Sequence, residues 1–235
     1  MTTNPSLAAF DAVDAAITQR HSVRAFLPQP LGTGTVMEIL DVAARSPSGH
    51  NTQPWQVHLL TGEALRRLSE AIFAVFDVPE RAHEFVPEFD AYPSEWISPY
   101  LDRRRQVGKD MYTLLRVPRG DRAGMRQQAR RNYAFFGAPV GLLFTLRRVM
   151  VPGSVLDLGI FLQSVMVAAQ ARGIATCPQA AFANFHKVIK PSLGLADDEV
   201  LICGMAMGWR DASAAVNHLD VGRQSASDFT RVHSL

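Results

Sequence analysis

Between Ser154 and Gly173 runs a stretch that constrains everything around it. Leu158, Phe161, Leu162, Val165, Met166 and Ala169 recur at helical spacing, with few polar residues between them. A helix that is apolar over most of its circumference has to be buried on several sides. Ser154 with Asp157 marks its expected start, and Gly173 stands just past its end. The helix is expected either at the centre of a domain or against a second subunit.

The surroundings supply partners for it. Phe10, Val13 and Ile17 predict an amphipathic helix over 10–19 that ends near Arg20. Thr35 and Glu38 form a capping-box pattern ahead of Ile39, Leu40, Val42 and Ala43, so a second helix is expected to run to about Arg45. Ser46-Pro47-Ser48-Gly49 stops it. Trp55, Val57 and Leu59 alternate with Gln56 and His58, as in a half-buried strand. Leu65, Leu68 and Ile72 predict another helix. Residues 77–99 are irregular, with prolines at 79, 87, 93 and 99, but Phe85, Phe89, Tyr92 and Trp96 imply that the segment packs on something. Helices are expected near 100–116 and 122–135. Strand-length apolar runs lie at 140–146, 174–177 and 200–207, and 209–235 reads as a polar arm. Strands separated by helices predict an α+β or α/β sheet flanked by helices. No Pro/Ser/Gly linker divides the chain, so 1–235 reads as one domain.

Composition narrows the class. The chain is 47% hydrophobic and 20% charged, the balance of a globular protein. Its net charge of +2 is interleaved along the sequence. The basic runs Arg103-Arg104-Arg105 and Arg130-Arg131 read as solvated helix faces, so no nucleic-acid partner is expected. No apolar run reaches the roughly 18 to 20 residues of a membrane span, and Met1–Phe10 does not resemble a signal peptide. Cys177 and Cys203 are the two cysteines and belong to no CxxC, which fits a reducing cytoplasm. The seven histidines show no ligand spacing, so no metal is expected.

The chain lacks G-x-G-x-x-G after a strand, G-x-x-x-x-G-K-[ST], G-x-S-x-G and H-E-x-x-H, so redox chemistry here would have to be borne by a cofactor. Three segments stand out. Arg20-His21-Ser22-Val23-Arg24 puts two planar guanidinium forks and a hydroxyl on alternating positions, which suits an anion, or equally a solvated helix end. Ser46 to Trp55 is dense in short donors and acceptors, which suits a polar ring edge or simply a well-made turn. Ala175-Thr176-Cys177-Pro178-Gln179-Ala180-Ala181-Phe182 offers small residues to a flat ligand, or a tight turn into a short helix over 185–190.

In this order and spacing, the three segments resemble the FMN-binding nitroreductase family. Residues 20–24 are similar to its R-[RH]-S-x-[RK] element. Residues 46–55 resemble its S-P-S-x-x-N-x-Q-P-W loop, and 177–182 its turn facing the flavin. The resemblance covers about 10–225. It implies an α+β nitroreductase-like fold with a central mixed or antiparallel sheet, and an intertwined homodimer with FMN at the interface. It implies that Arg20, His21, Ser22 and Arg24 hold FMN, with Arg223 as a second phosphate-binding base. Pro47, Ser48, Gly49 and Asn51 would reach the flavin from the partner subunit. Pro178, Gln179, Ala180 and Ala181 would line its ring, with the Ala180 backbone N–H as candidate donor to N5.

The implied activity is ping-pong transfer of hydride from NADH or NADPH to a small-molecule acceptor, here a nitrobenzoate-like nitroaromatic. Flavin or quinone/enone reduction, and non-catalytic FMN binding, are the other activities open to this scaffold. Residues 77–135 resemble an insertion found in members acting on nitrobenzoate-like substrates. The region is expected to build part of the acceptor pocket, with Arg104 or Arg105 for a carboxylate, or else to be helical cladding. Gly208-Trp209-Arg210 departs from the aromatic-proline pair of many members and leaves the path of the arm open.

Overall fold

Val140–Leu146 and Val200–Met207 pair at the centre of a four-stranded antiparallel sheet. The computed structural model describes residues 7–151 and 153–234. The strands are β1 (Trp55–Thr61), β2 (Val140–Arg147), β3 (Ala175–Gln179) and β4 (Glu199–Gly208), in the order β1-β2-β4-β3. The helices are α1 (Leu7–Thr18), α2 (Thr33–Ala43), α3 (Gly62–Phe76), α4 (Tyr100–Leu114), α5 (Arg122–Asn132), α6 (Val155–Gln170), α7 (His186–Leu193) and α8 (Ala226–Phe229).

Helices cover both faces of the sheet. On one face Val140, Leu142, Phe144 and Leu146 of β2 meet Ile39 of α2 and Leu158, Phe161 and Val165 of α6. Trp55 of β1 stacks on Phe161 with centroids 4.6 Å apart. On the other face Leu143 and Leu201 meet Leu68 and Ile72 of α3, Ile189 of α7, and the aromatic pair Phe135 and Phe182. Every residue of β4 is therefore buried, which is why the strand reads as an unbroken apolar run rather than an alternation. The register slips between Phe144 and Thr145, whose partners are Cys203 and Leu201. The extra residue lets Ile202 and Cys203 face the same side.

Two helix starts differ from expectation. Thr33 and Gly34 are already helical, so Thr35 lies inside α2 and the Thr35/Glu38 capping box is not formed. Gly32 is the N-cap, placed by the buried Leu31 beside it. At α6, Ser154 is the N-cap but its side chain makes no capping bond. The Asp157 carboxylate instead accepts the Gly49 N–H at 3.3 Å, tying the 46–55 loop to the helix. Nor is α6 enclosed all round in this chain, since Leu156 is 73% exposed. The arm is extended apart from a short turn at Ala215–His218 and α8. Trp209 anchors its start by donating from Nε1 to the Pro30 carbonyl at 3.3 Å. No helix among the described residues is long and apolar enough to cross a membrane.

Candidate functional site

The chain leaving α1 runs along the outer edge of β3. Ser22 bridges Thr176 in parallel, and the Val23 N–H donates to the Thr176 carbonyl at 3.1 Å. Extended backbone alternates its side chains. Val23 and Ala25 accordingly enter the core, while Arg20, Ser22 and Arg24 face a cavity of about 830 Å³. The opposite wall is the arm, which contributes Asn217, His218 and Arg223. Phe26 bridges Arg210, and the Leu27 N–H donates to the Trp209 carbonyl at 2.8 Å, so 22–27 is clamped between β3 and the arm.

The cavity is cationic. Arg20, Arg24, Arg210 and Arg223 line it, and among the described residues none of the four makes an ion pair. Arg24, Arg210 and Arg223 donate to backbone carbonyls instead. Burial pushes the Arg20 guanidinium below its ordinary pKa, and the charge of Arg223 pushes it further. Two like charges held together in this way favour an anion between them. Among the described residues Arg20 Nε, His21 Nε2 and Thr176 Oγ1 are buried with no hydrogen-bond partner, and a ligand carrying both acceptor oxygens and hydroxyls would relieve the first two, which belong to residues lining the cavity.

The other two motifs lie elsewhere on the chain. The 46–55 loop is pinned against α6, where Ser46 Oγ donates to Ser164 Oγ at 2.7 Å. Its tip is tightly wound, with φ of 51° at His50, 57° at Asn51 and 45° at Gln53. Ser48 Oγ accepts the Gln53 N–H at 3.0 Å. Pro47, Ser48, Gly49 and Asn51 do not line the arginine cavity. Pro47 opens instead on a groove of about 580 Å³ between α1, α2 and α6, and Ile17 and Gln163 border both spaces.

At the end of β3, Pro178 is exposed on the sheet edge, where its lack of an N–H costs nothing. Gln179 is buried, its Nε2 donating to the carbonyl and to Oδ1 of Asn132 at 2.6 Å each, while its Oε1 has no partner among the described residues. Ala180 and Ala181 line a small cleft of about 130 Å³ with Pro87, Phe89 and Tyr92.

The arginines expected at the acceptor side part company. Arg104 lines a recess with Trp96, whereas Arg105 lines none of the spaces described. The thiols are not nucleophiles, because burial pushes Cys177 up to about 11 and Cys203 up to about 12. Among the described residues no cluster could hold a metal.

Asn217 carries no sequence signal. Its side chain accepts the Arg24 N–H and donates to the carbonyls of Ala25 and Asp211, each at 2.8 Å. Arg210, visible in the sequence only as a departure from a pattern, donates to the Asn217 carbonyl at 2.7 Å.

A family model described as the nitroreductase family matches residues 17–209. The chain is 40% identical to a 4-nitrobenzoate reductase of Pseudomonas putida, over 94% of this chain and 95% of that one. It is 37% identical to a chloronitrobenzene nitroreductase of Comamonas testosteroni, over 93% and 95%. A crystal structure of the FMN and NADPH-dependent nitroreductase NfnB from Sphigopyxis sp. strain HMH superposes with a TM-score of 0.91 at 36% identity, covering 95% of this chain and 99% of that one.

Proposed function

Because the chain belongs to the nitroreductase family, we propose that it is an NAD(P)H-dependent nitroreductase that holds FMN in the arginine cavity and reduces nitroaromatic acceptors of the nitrobenzoate kind. One observation carries the cofactor assignment: guanidiniums without an ion pair and the buried, unpartnered nitrogens Arg20 Nε and His21 Nε2 belong to residues that line a single space. A phosphomonoester and a polyhydroxyl chain would satisfy them, and the volume is that of a cofactor site. Arg20, His21, Ser22, Arg24 and Arg223 would hold FMN there. Pro178, Gln179, Ala180 and Ala181 would line the ring, with the Ala180 N–H directed to N5.

When bound, FMN supplies a two-electron carrier that NAD(P)H reduces and the acceptor oxidises. The chain's part is binding, orientation and fixed positive charge, which favours an anionic reduced cofactor. The absence of a depressed thiol is consistent with that division.

A homodimer completes the proposal. Pro47, Ser48, Gly49 and Asn51 would serve the partner's FMN, because on their own chain they sit outside the arginine cavity, beside the groove between α1, α2 and α6. Exposed Val13 and Ile17 on α1 and Leu156 on α6 give the partner an apolar surface. We place the protein in the cytoplasm, in keeping with two free cysteines. We treat 1–235 as one domain in which 77–135 is an insertion beside the acceptor pocket and 209–235 an arm.

Anaerobic mixing with NADH and with NADPH tests the reading. The expected result is bleaching of flavin absorbance near about 450 nm, recovered on adding 4-nitrobenzoate. A protein that takes up no flavin overturns it.

A further inference from the structure

Phe85, Phe89, Tyr133 and Phe135 of the 77–135 region pack on the core, but the residues between Tyr92 and Tyr100 largely do not. Tyr92, Ile97 and Tyr100 are 64%, 62% and 58% exposed. Trp96, Tyr100, Arg103, Arg104 and Val107 line a shallow, open recess of about 380 Å³ whose walls are almost wholly carbon. The Arg104 guanidinium lies 4.8 Å from the Trp96 ring centroid, and that of Arg103 lies 5.8 Å from the Tyr100 centroid. A guanidinium laid on a ring face keeps its in-plane fork of N–H donors free for a carboxylate. Among the described residues neither arginine makes an ion pair. Glu95 and Asp102 nearby are exposed and unpaired with them, and Asp110 is held by Gln106.

Two borders place this recess beside the redox site. Val107 lines both the recess and the arginine cavity. Tyr92, whose ring centroid is 6.0 Å from that of Trp96, lines the cleft with Ala180 and Ala181. The recess thus adjoins the phosphate-binding arginines on one side and the expected flavin face on the other.

We propose that Trp96, Tyr100, Arg103 and Arg104 form the acceptor shelf, which takes a carboxylated aromatic ring flat against the indole and phenol and pairs its carboxylate with the two guanidiniums. This rests on the FMN reading above and adds to it the residues that select acidic over neutral nitroarenes. A neutral nitroarene gains the stacking but leaves both guanidiniums without a partner.

The test compares kcat/KM for 4-nitrobenzoate and for nitrobenzene in the wild-type holoenzyme and in Arg103→Gln/Arg104→Gln. Calorimetric titration of benzoate and benzamide, which carry no nitro group, supplies a binding readout independent of turnover. A charge-assisted pair lost to both substitutions is expected to cut the nitrobenzoate-to-nitrobenzene ratio about 10- to 100-fold and to weaken benzoate by a similar factor. An unchanged ratio, or benzoate and benzamide binding equally in the wild type, overturns the shelf. A parallel rise in the KM for NADPH also overturns it, since the arginines would then read the nicotinamide donor. Reduction of wild-type flavin by NADPH without acceptor is measured alongside. If that step is intact while the ratio does not move, the shelf has failed and the FMN reading stands.

Discussion

Replacing Asn217 with alanine should loosen both the fold and its hold on FMN, and the size of each effect can be worked from its partners. The side chain is 2% exposed and makes three hydrogen bonds of 2.8 Å. The losses are unequal. The Ala25 carbonyl keeps a second donor, the Asp211 N–H at 3.1 Å, and the Asp211 carbonyl keeps the Ala214 N–H at 3.4 Å. The Arg24 N–H has no such alternative among the described residues. Two bonds at about 1 kcal/mol and one orphaned donor at about 1 to 3 kcal/mol give a loss of about 3 to 5 kcal/mol. For a chain of this length that lowers Tm by about 6 to 20 °C.

The same bonds hold the arm against residues 24 and 25, so the variant should also let Arg223 drift from Arg20. FMN binding should weaken about 10-fold or more, at the scale of one charge-assisted contact. Dye-reported melting of the apoprotein measures the first effect, and quenching of FMN fluorescence on titration the second. A cycle with Arg223→Ala separates them. If Asn217 acts through Arg223, the double variant binds FMN no worse than Arg223→Ala alone. A fall in Tm with FMN affinity untouched would refute the positioning argument, and an unchanged Tm would refute the hydrogen-bond count.

Arg223→Ala itself should weaken FMN about 10-fold rather than 100-fold, because it also relieves the repulsion on Arg20; titration at two ionic strengths should show a shallower salt dependence than wild type. Gly204→Ala should cost about 1 to 3 kcal/mol in denaturant titration, since its Cβ would stand 2.6 Å from Phe182 Cδ2 and Phe182 is fully buried against Phe135. Gly108→Ala on α4 meets nothing within 4 Å and should instead stabilise by up to about 1 kcal/mol in the same assay. Acid should weaken the fold through the Glu88 cluster. Burial pushes His186 below its ordinary 6.5 despite Glu88 beside it, so the unfolded chain takes up the proton first and stability falls as pH drops through that value. Burial alone would raise Glu88, but the hydrogen bond from Arg148 and the charges of His186 and Lys190 outweigh it and hold it below 4.5, which adds a second loss at lower pH. Melting curves from pH 7 to 4 should show both losses, with the lower one reduced in Glu88→Gln.

The parts of the molecule legible in the sequence are those whose cause is local. Alternation put Arg20, Ser22 and Arg24 on one side because nothing interrupts the extended backbone there. α3 announces itself because it buries one face by a fixed period, whereas β1 packs on both faces, with Trp55, Val57 and Leu59 on one core and Leu60 on the other. The family motifs named the ligand, although in one chain two of the three segments stand outside the arginine cavity. The parts that could not be read have distant causes. The start of α2 is set by burial of Leu31 rather than by a capping side chain. The slip at Ile202–Cys203 is invisible because residues on both faces of β4 are apolar. Asn217 reads as one polar residue in a polar arm, yet its partners at Arg24 and Ala25 lie 193 and 192 positions away.

The position of the arginine cavity follows from the sheet order. β3 is an edge strand, and an exposed edge invites pairing with another chain. Here the edge is covered along part of its length by 22–23, and Pro178 offers it no donor farther on. The segment that covers the edge has to be extended, and extended backbone sends every second side chain away from the core. Those outward positions hold Arg20, Ser22 and Arg24, and the two guanidiniums would also repel a second strand. The same five residues therefore protect the edge and furnish the anion site. This is why the site survives with its guanidiniums crowded: moving any of them inward would break the alternation that buries Val23 and Ala25. The repulsion is left for the arm to contain, and Asn217 is the side chain that ties the arm to that edge.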